Sequence, residues 1–280
     1  MSNKIIENII SNHFNKLRCN SCNSIELKLD DSYIKCSDCN SKYYLKDNKI
    51  IASNVFFEEN KWEKKNNTYY PNQSIKPIID RISGPKISSL IKRFKIKGLS
   101  INLGSGQDSH PEFINIDLGD YKPVHIVSDI SNVPFVDSSI DLIASNSVLE
   151  HIYNYQNVIK EASRILKNEG IFYLCVPAVC TRHHEIDYHR WTPLGLQKMM
   201  VEDFEIIESG VTRGIAHFIT IYISEVIDLK IKNKIFKKIV NNLWRIISLP
   251  LFFIKDNHSP NDQAMSETIY IIGKKRSSDN

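Results

Sequence analysis

The stretch 101–151 most constrains what this chain can fold into. It contains four short apolar runs, each ending in small or polar residues, which is typical of buried parallel strands. The runs are Ile101–Leu103, Ile114–Asp117, Val124–Asp129 and Ile140–Asn146. Ligands of open α/β sheets bind outside the carboxyl ends of such strands. The pattern therefore predicts an α/β fold whose ligand site is built from the residues at those ends.

The residues at the strand ends favour a nucleoside-bearing cofactor. Gly104 and Gly106 lack a Cβ, so a ligand can approach the backbone of this turn closely. Asp117 ends the next strand, where a carboxylate can accept hydrogen bonds from both ribose hydroxyls. Asp129 ends the strand after that and can accept from an adenine amino group. This ordered set of a glycine turn and two acid-ended strands is more specific than a glycine turn alone.

These motifs, with Val148–His151, resemble the class I S-adenosylmethionine-dependent methyltransferases, especially their small-molecule and glycan-pathway members. The resemblance extends from Leu99 to Gly210. It implies a Rossmann-like, doubly wound, mostly parallel sheet with an antiparallel closing strand, and S-adenosyl-L-methionine as the cofactor. The implied cofactor-binding residues are Gly104, Ser105, Gly106, Asp117, Leu118, Asp129, Ile130, Ser145 and Asn146.

The sequence departs from the family pattern in two places. Asn102 stands where many members have an acid that meets the amino group of the cofactor's methionine. The interval from Gly106 to Asp117 is also short, since a crossover helix usually needs about ten or more residues. We therefore expect no more than a single helical turn between the first two strands.

Four cysteines near the N-terminus have the spacing of a metal site. Two Cys-x-x-Cys pairs enclose a hairpin-like segment at 25–34, and four thiolates can hold zinc tetrahedrally. The predicted ligands are Cys19, Cys22, Cys36 and Cys39. The segment resembles the small structural zinc ribbons that precede several methyltransferases. Basic and acidic residues cancel between 1 and 60, which favours protein docking or stabilisation over a nucleic-acid contact.

The chain divides into three predicted parts. Residues 1–60 form an N-terminal helix and the zinc ribbon, 61–97 a linker with short helices, and 98–280 the catalytic domain. Segments 204–211 and 266–273 look like the family's antiparallel closing hairpin, separated by an insertion at about 212–264.

The insertion contains a basic helix. No acid occurs from 229 to 255, whereas Phe236, Val240, Leu243 and Ile247 recur at helical spacing. One interpretation is peripheral contact of 230–254 with an anionic membrane. The other interpretation, which the sequence favours, is a cap over the acceptor pocket with a solvated basic face.

A fifth apolar run, Ile171–Val176, predicts the next strand. The polar loop at 183–193 follows it and could surround the acceptor. Methyl transfer to a hydroxyl needs a general base that takes the hydroxyl proton. The candidates for this base are His184, His189, Asp187 and His151. The loop also resembles a family feature in which Arg190 braces the chain and Thr192 caps a helix. A metal site is the third interpretation, because His183, His184, Asp187 and His189 include workable ligands.

The sequence thus predicts an enzyme that methylates a small-molecule, sugar or lipid-linked acceptor, with O-methylation favoured. The alternatives are an RNA methyltransferase that docks RNA through its ribbon, and a non-catalytic adaptor that keeps the fold. The net charge of +4 does not demand a polyanionic partner. No run has transmembrane length, so we expect a cytoplasmic protein, with contact at the inner membrane face left open.

Overall fold

The computed structural model describes residues 2–52, 82–108, 110–181, 184–255 and 258–277. Its strands are β1 (Leu27–Leu29), β2 (Tyr33–Cys36), β3 (Lys42–Lys46), β4 (Lys49–Ile51), β5 (Ser100–Leu103), β6 (Ile114–Asp117), β7 (Ile126–Val127), β8 (Ile140–Asn146), β9 (Leu166–Pro177), β10 (Phe204–Arg213) and β11 (Thr268–Lys275). Its α-helices are α1 (Ser2–Asn12), α2 (Ile87–Arg93), α3 (Tyr155–Ile165), α4 (Pro193–Met200), α5 (Ile215–Lys230), α6 (Lys234–Ile247) and α7 (Pro260–Ala264). Short 3₁₀ turns occupy Phe14–Lys16, Leu149–His151 and Leu249–Phe253.

Seven strands form the main part of the sheet, in the order β7-β6-β5-β8-β9-β11-β10. Strands β5 to β9 pair in parallel, whereas β11 pairs antiparallel with both β9 and β10. The strand order reverses between β5 and β8, which is the switch point where doubly wound sheets bind ligands. The structure confirms the predicted Rossmann-like sheet and its antiparallel closing strand.

The apolar composition of the strands explains their position in the core. All four residues of β5 are buried, and β8 and β9 are buried over most of their length. Strands with helices on both faces need apolar side chains on both sides. Ile101 and Ile143 belong to the larger core cluster, whereas Leu142 and Ala144 belong to the smaller one.

The N-terminal ribbon extends the same sheet. Strands β1 to β4 pair antiparallel in chain order, and β4 then pairs in parallel with β7. Ile50 lies opposite Ile126 in this pairing. Helix α1 contributes Ile6 and Ile9 to the larger core cluster, so the ribbon and the main sheet share one hydrophobic core.

Two local predictions near the helices need comment. An apolar stripe at helical spacing stops before Gly170 in the sequence, which predicts a left-handed helix end at this glycine. In the structure α3 ends at Ile165, and the residue with positive φ is Glu169 (φ 64°). The prediction for Gly170 is wrong, because the chain enters β9 directly after Ile165 and Gly170 lies within this strand. A glycine is needed there because of close packing and not because of a helix end. A Cβ there would lie 2.8 Å from the Lys167 carbonyl oxygen. Between β5 and β6, the described residues form turns and no helix, consistent with the short interval.

The insertion is helical, with α5, α6, the 3₁₀ turn and α7 between β10 and β11. The apolar stripe predicted for α6 lies at the surface, since Phe236, Leu243 and Ile247 are each more than half exposed. In the described part of the chain, no helix has the length and apolar character to cross a membrane. Most of the predicted linker, including 61–76, and His183 lie outside the described residues.

Candidate functional site

The glycine turn after β5 is fixed against β6. The backbone N–H groups of Gly104 and Ser105 both donate to the carbonyl of Ile116, at 2.8 and 3.1 Å. The chain then turns back toward the end of β6, where the Gly106 N–H donates to Oδ2 of Asp117 at 2.8 Å. The predicted glycine and acid residues are therefore direct neighbours at the carboxyl edge of the sheet.

The two glycines of this turn have different surroundings. Both have positive φ, 71° for Gly104 and 52° for Gly106. A Cβ on Gly104 would lie 2.4 Å from the Val148 side chain, so the loop after β8 already fills that space. A Cβ on Gly106 would meet nothing within 4 Å among the described residues. Of the two, Gly106 is the one whose Cβ position is open among the described residues, and its N–H contacts the carboxylate of Asp117.

Asp117 is half-buried, and backbone donors hold its carboxylate. Its Oδ1 accepts from the Gly119 N–H at 2.8 Å, while Oδ2 accepts from Gly106. Burial raises the pKa of Asp117, and the N–H groups of Gly119, Gly106 and Leu118 oppose this shift. Each carboxylate oxygen can accept a further hydrogen bond, so the arrangement suits a ligand with neighbouring hydroxyls.

Asp129 lies after β7, at the same edge. Its Oδ1 accepts from the backbone N–H and the hydroxyl of Ser131, at 2.8 and 2.7 Å. The carboxylate is exposed, whereas the adjacent Ile130 is buried. A carboxylate beside an apolar side chain can contact both the amino group and the ring of a base.

Two buried hydroxyls at this edge lack hydrogen-bond partners. The Oγ atoms of Ser105 and Ser145 are each buried and have no partner in the described part of the chain. Such groups are costly unless water or a ligand satisfies them. Next to Ser145, Asn146 is exposed at the end of β8. These residues together fit a polar ligand beside the glycine turn.

A cluster of ionisable groups follows β8 and β9. The rings of His151 and His184 lie 5.0 Å apart between centroids. Nδ1 of His151 is bonded to the Ile186 carbonyl, which can only accept, so the proton is on Nδ1. In the neutral ring the lone pair is then on Nε2, which lies 3.8 Å from Oε1 of Glu150.

Glu150 is fully buried. Burial raises its pKa to about 7; Arg190 opposes the shift and Asp187 adds to it. From the sequence, Glu150 is only an acid placed favourably at the start of a helix. The pattern of apolar residues does not show how deeply its carboxyl group is buried. A buried acid beside a histidine is a common signal of acid–base function.

The other candidates from the loop have structural contacts. Both carboxylate oxygens of Asp187 are paired with the guanidinium of Arg190, which also donates to the Thr181 carbonyl at 3.1 Å. Nε2 of His189 is 3.1 Å from the Tyr153 carbonyl. The Thr192 side chain caps α4 by accepting from the Gly195 N–H, as predicted.

The four ribbon cysteines converge. Their Sγ atoms all lie within 4.8 Å of one another, with Cys19 and Cys39 at 3.5 Å and Cys22 and Cys36 at 3.6 Å. Tetrahedral zinc with Zn–S bonds of about 2.3 Å requires sulfur separations of about 3.8 Å. The donor set and its geometry therefore fit zinc.

The two cysteine knuckles repeat the same local structure. Each has the sequence Cys-x-x-Cys-Asn-Ser, and Asn23 and Asn40 have similar positive φ values of 64° and 62°. The Tyr43 hydroxyl lies 2.9 Å from Sγ of Cys19. Burial by itself raises the pKa of Cys19, but hydrogen bonds from Tyr43 and neighbouring backbone N–H groups outweigh it and lower that pKa to about 6. The thiolate form needed for metal binding is thereby favoured.

Comparison with known proteins bears on the sheet edge just described. Residues 105–174 match the family model described as a methyltransferase domain. The matched segment runs from the glycine turn into β9, and it supports a methyltransferase domain in this part of the chain.

Individual relatives are distant. An uncharacterized protein of Methanocaldococcus jannaschii is 27% identical over 171 residues, covering 54% of this chain and 74% of the relative. Phosphoethanolamine N-methyltransferase 2 of Haemonchus contortus, solved with S-adenosyl-L-methionine, is 16% identical with a TM-score of 0.42, covering 68% of this chain and 52% of that one. A SAM-dependent methyltransferase of Thermotoga maritima is 14% identical with a TM-score of 0.43, covering 68% and 87%.

Proposed function

We propose that the chain is an S-adenosylmethionine-dependent methyltransferase acting on a small-molecule, sugar or lipid-linked acceptor, with a hydroxyl as the favoured acceptor group. The observation that carries the proposal is the open space at the Cβ position of Gly106, a residue whose N–H is bonded to the Asp117 carboxylate. The matched family segment includes both residues.

The residues at the sheet edge have separate binding roles. Asp117 would accept from the ribose hydroxyls, while Ser105 and Ser145 offer the unpartnered hydroxyls. Asp129 and Ile130 would contact the adenine. The remaining lining residues would be Gly104, Gly106, Leu118 and Asn146. Bound there, the cofactor supplies an electrophilic methyl group, and the chain has to align an acceptor with it and exclude water.

The proton of a hydroxyl acceptor would go to a histidine. Nε2 of His151 has the lone pair for this step, because Nδ1 holds its proton against the Ile186 carbonyl. Glu150, 3.8 Å from Nε2, would stabilise the imidazolium that forms. His184 is exposed beside the His151 ring and could receive the proton next. Asp187 and His189 are weaker candidates because their polar atoms already hold the loop together.

We also propose that the four cysteines hold a structural zinc ion. A closed four-cysteine site stabilises a module too small for a sufficient core of its own. Because the ribbon pairs with β7 through β4, its stabilising role in the main sheet is better supported than recruitment of a protein partner.

Calorimetric titration of S-adenosylmethionine into zinc-loaded protein tests the proposal. We expect micromolar affinity, and Asp117→Ala should weaken it at least about tenfold, equal to about 1.4 kcal/mol. Glu112→Ala is the matched control, since it removes an exposed carboxylate from the same β5–β6 connection. Folded wild-type protein that does not bind the cofactor would overturn the enzyme proposal and favour the adaptor.

A further inference from the structure

Helix α6 has an exposed apolar face. Six of its residues are between 55% and 75% exposed: Ile235, Phe236, Ile239, Leu243, Ile246 and Ile247. The surface continues after the helix, where Phe253 and Ile254 are 82% and 55% exposed. Monomeric soluble proteins rarely expose contiguous apolar surface of this kind without a binding function. We call these eight residues the α6 apolar face.

The opposite side of α6 fixes this orientation. Asn241 donates to Asp228 of α5 at 2.9 Å, and the indole N–H of Trp244 donates to the Thr220 carbonyl at 3.0 Å. Lys237 lies 3.9 Å from the same Asp228. Rotation of α6 to bury its apolar face would break all three contacts. The polar side is therefore the packed side, and the apolar face remains outward.

The segment that carries the α6 apolar face is rich in basic residues. The segment 229–255 contains seven basic residues and no acid. Five of the seven are exposed: Lys230, Lys232, Lys234, Lys238 and Lys255. Long basic side chains can extend to lipid headgroups while neighbouring apolar groups enter the acyl boundary.

We propose that the α6 apolar face binds the surface of an anionic lipid bilayer. Anionic headgroups complement the five exposed lysines, and the acyl boundary accommodates the aliphatic and phenylalanine side chains. A second copy of the chain fits less well, since a twofold contact through this face would bring the same cationic segments together. The inference does not depend on methyl transfer, because it uses only the outer surface of the insertion.

Vesicle flotation with the full chain tests the proposal. We expect binding to phosphatidylcholine vesicles that contain about 30% phosphatidylglycerol, little binding to pure phosphatidylcholine, and a decrease with salt. The double variant Ile239→Ser with Ile246→Ser should lose at least about tenfold in partition coefficient. Lys234→Gln with Lys238→Gln should reduce binding to the anionic vesicles and weaken the salt dependence.

Two controls keep the outcome interpretable. Leu194→Ser removes an apolar side chain of α4 that is more exposed than Ile239 or Ile246, and it should leave binding unchanged. Circular dichroism should show each variant folded, as expected for exposed positions. Absence of binding to anionic vesicles, or wild-type binding by the Ile239/Ile246 variant, would overturn the proposal. A dimer in solution that this variant converts to monomer would also overturn it, by assigning the face to a second copy.

Discussion

The side-chain amide of Asn132 donates a 2.7 Å hydrogen bond to the carbonyl oxygen of Asn20. Asn20 lies between two of the clustered cysteines, whereas Asn132 belongs to the loop that begins at Asp129. The Asn132 N–H also donates to the Asp129 carbonyl at 3.1 Å. The first cysteine knuckle is thus directly joined to the loop proposed to contact adenine.

Loss of this junction should weaken cofactor binding. Asn132→Ala removes the bond to Asn20 and also the 3.2 Å bond that Oδ1 of Asn132 accepts from Arg18. The Asp129 carboxylate stays in place, but the loop loses two positioning contacts. Each hydrogen bond contributes about 1 kcal/mol, which predicts at least roughly fivefold weaker S-adenosylmethionine binding by calorimetry. Asn157→Ala, an exposed asparagine on α3, is the matched control. Unchanged affinity in Asn132→Ala would show that the knuckle does not position the loop.

Removal of the metal should destabilise the whole domain. We expect one zinc per chain by elemental analysis, and Cys36→Ser should reduce this content. The same variant should lower the thermal midpoint of unfolding by about 5–10 °C. A loss of about 1 kcal/mol in stability shifts the midpoint of domains of this size by roughly 2–4 °C. Cys180→Ser alters a cysteine outside the cluster and should retain the zinc. Full zinc content in Cys36→Ser would contradict the four-cysteine assignment.

Substitutions at Gly104 and Gly106 should have different effects. Gly104→Ala places a Cβ 2.4 Å from Val148 and should lower the stability of the fold by about 1–3 kcal/mol. Gly106→Ala meets no described atom within 4 Å, so its stability cost is backbone strain of about 1 kcal/mol. Its larger effect should be on cofactor affinity, because the methyl group enters the proposed site. Urea unfolding measures the stability of each variant, and calorimetry measures its cofactor affinity. Equal losses of stability and of affinity in the two variants would contradict the different roles of Gly104 and Gly106.

The stability of the protein should carry a pH signature from Glu150. Its pKa is about 7 in the folded chain and about 4.5 when unfolded, so between these values the folded state binds more protons. Stability contributed by this group is therefore complete below about pH 4.5 and falls as pH rises toward 7. Glu150→Gln removes the effect, so its stability relative to wild type should rise by up to about 3 kcal/mol from pH 4.5 to 8. Urea titrations at several pH values test this, and parallel curves for the two proteins would contradict it.

The strands were predictable because each apolar run has the length and β-branched character of a buried strand. Ile114–Asp117 and Ile140–Asn146 agree with β6 and β8 at both ends. The orientation of α6 was not predictable, since helical spacing identifies an apolar face but does not show which side of the helix packs against the rest of the protein. The contacts of Asn241 and Trp244 with α5 decide that.

Parts of the candidate site also depend on tertiary contacts that the sequence pattern does not contain. The acid-ended strands place Asp117 and Asp129 at one edge. The distinction between Gly104 and Gly106 requires the position of Val148. Likewise, the role of Asp187 is changed by its pairing with Arg190, and the depth of Glu150 follows from packing of the loop after β9 over it.

The pairing of β4 with β7 also has a consequence for the order of folding. Ile50 and Ile126 are 76 positions apart, whereas the ribbon's cysteines all lie within 19–39. Short loops close at lower entropic cost, so the metal-bound hairpins can form before the long-range pairing. Strand β7 has only two residues, Ile126–Val127, and gains a partner on its outer edge from β4. The ribbon can therefore act during synthesis as a template for β7, before β10 and β11 at the opposite edge of the sheet are made.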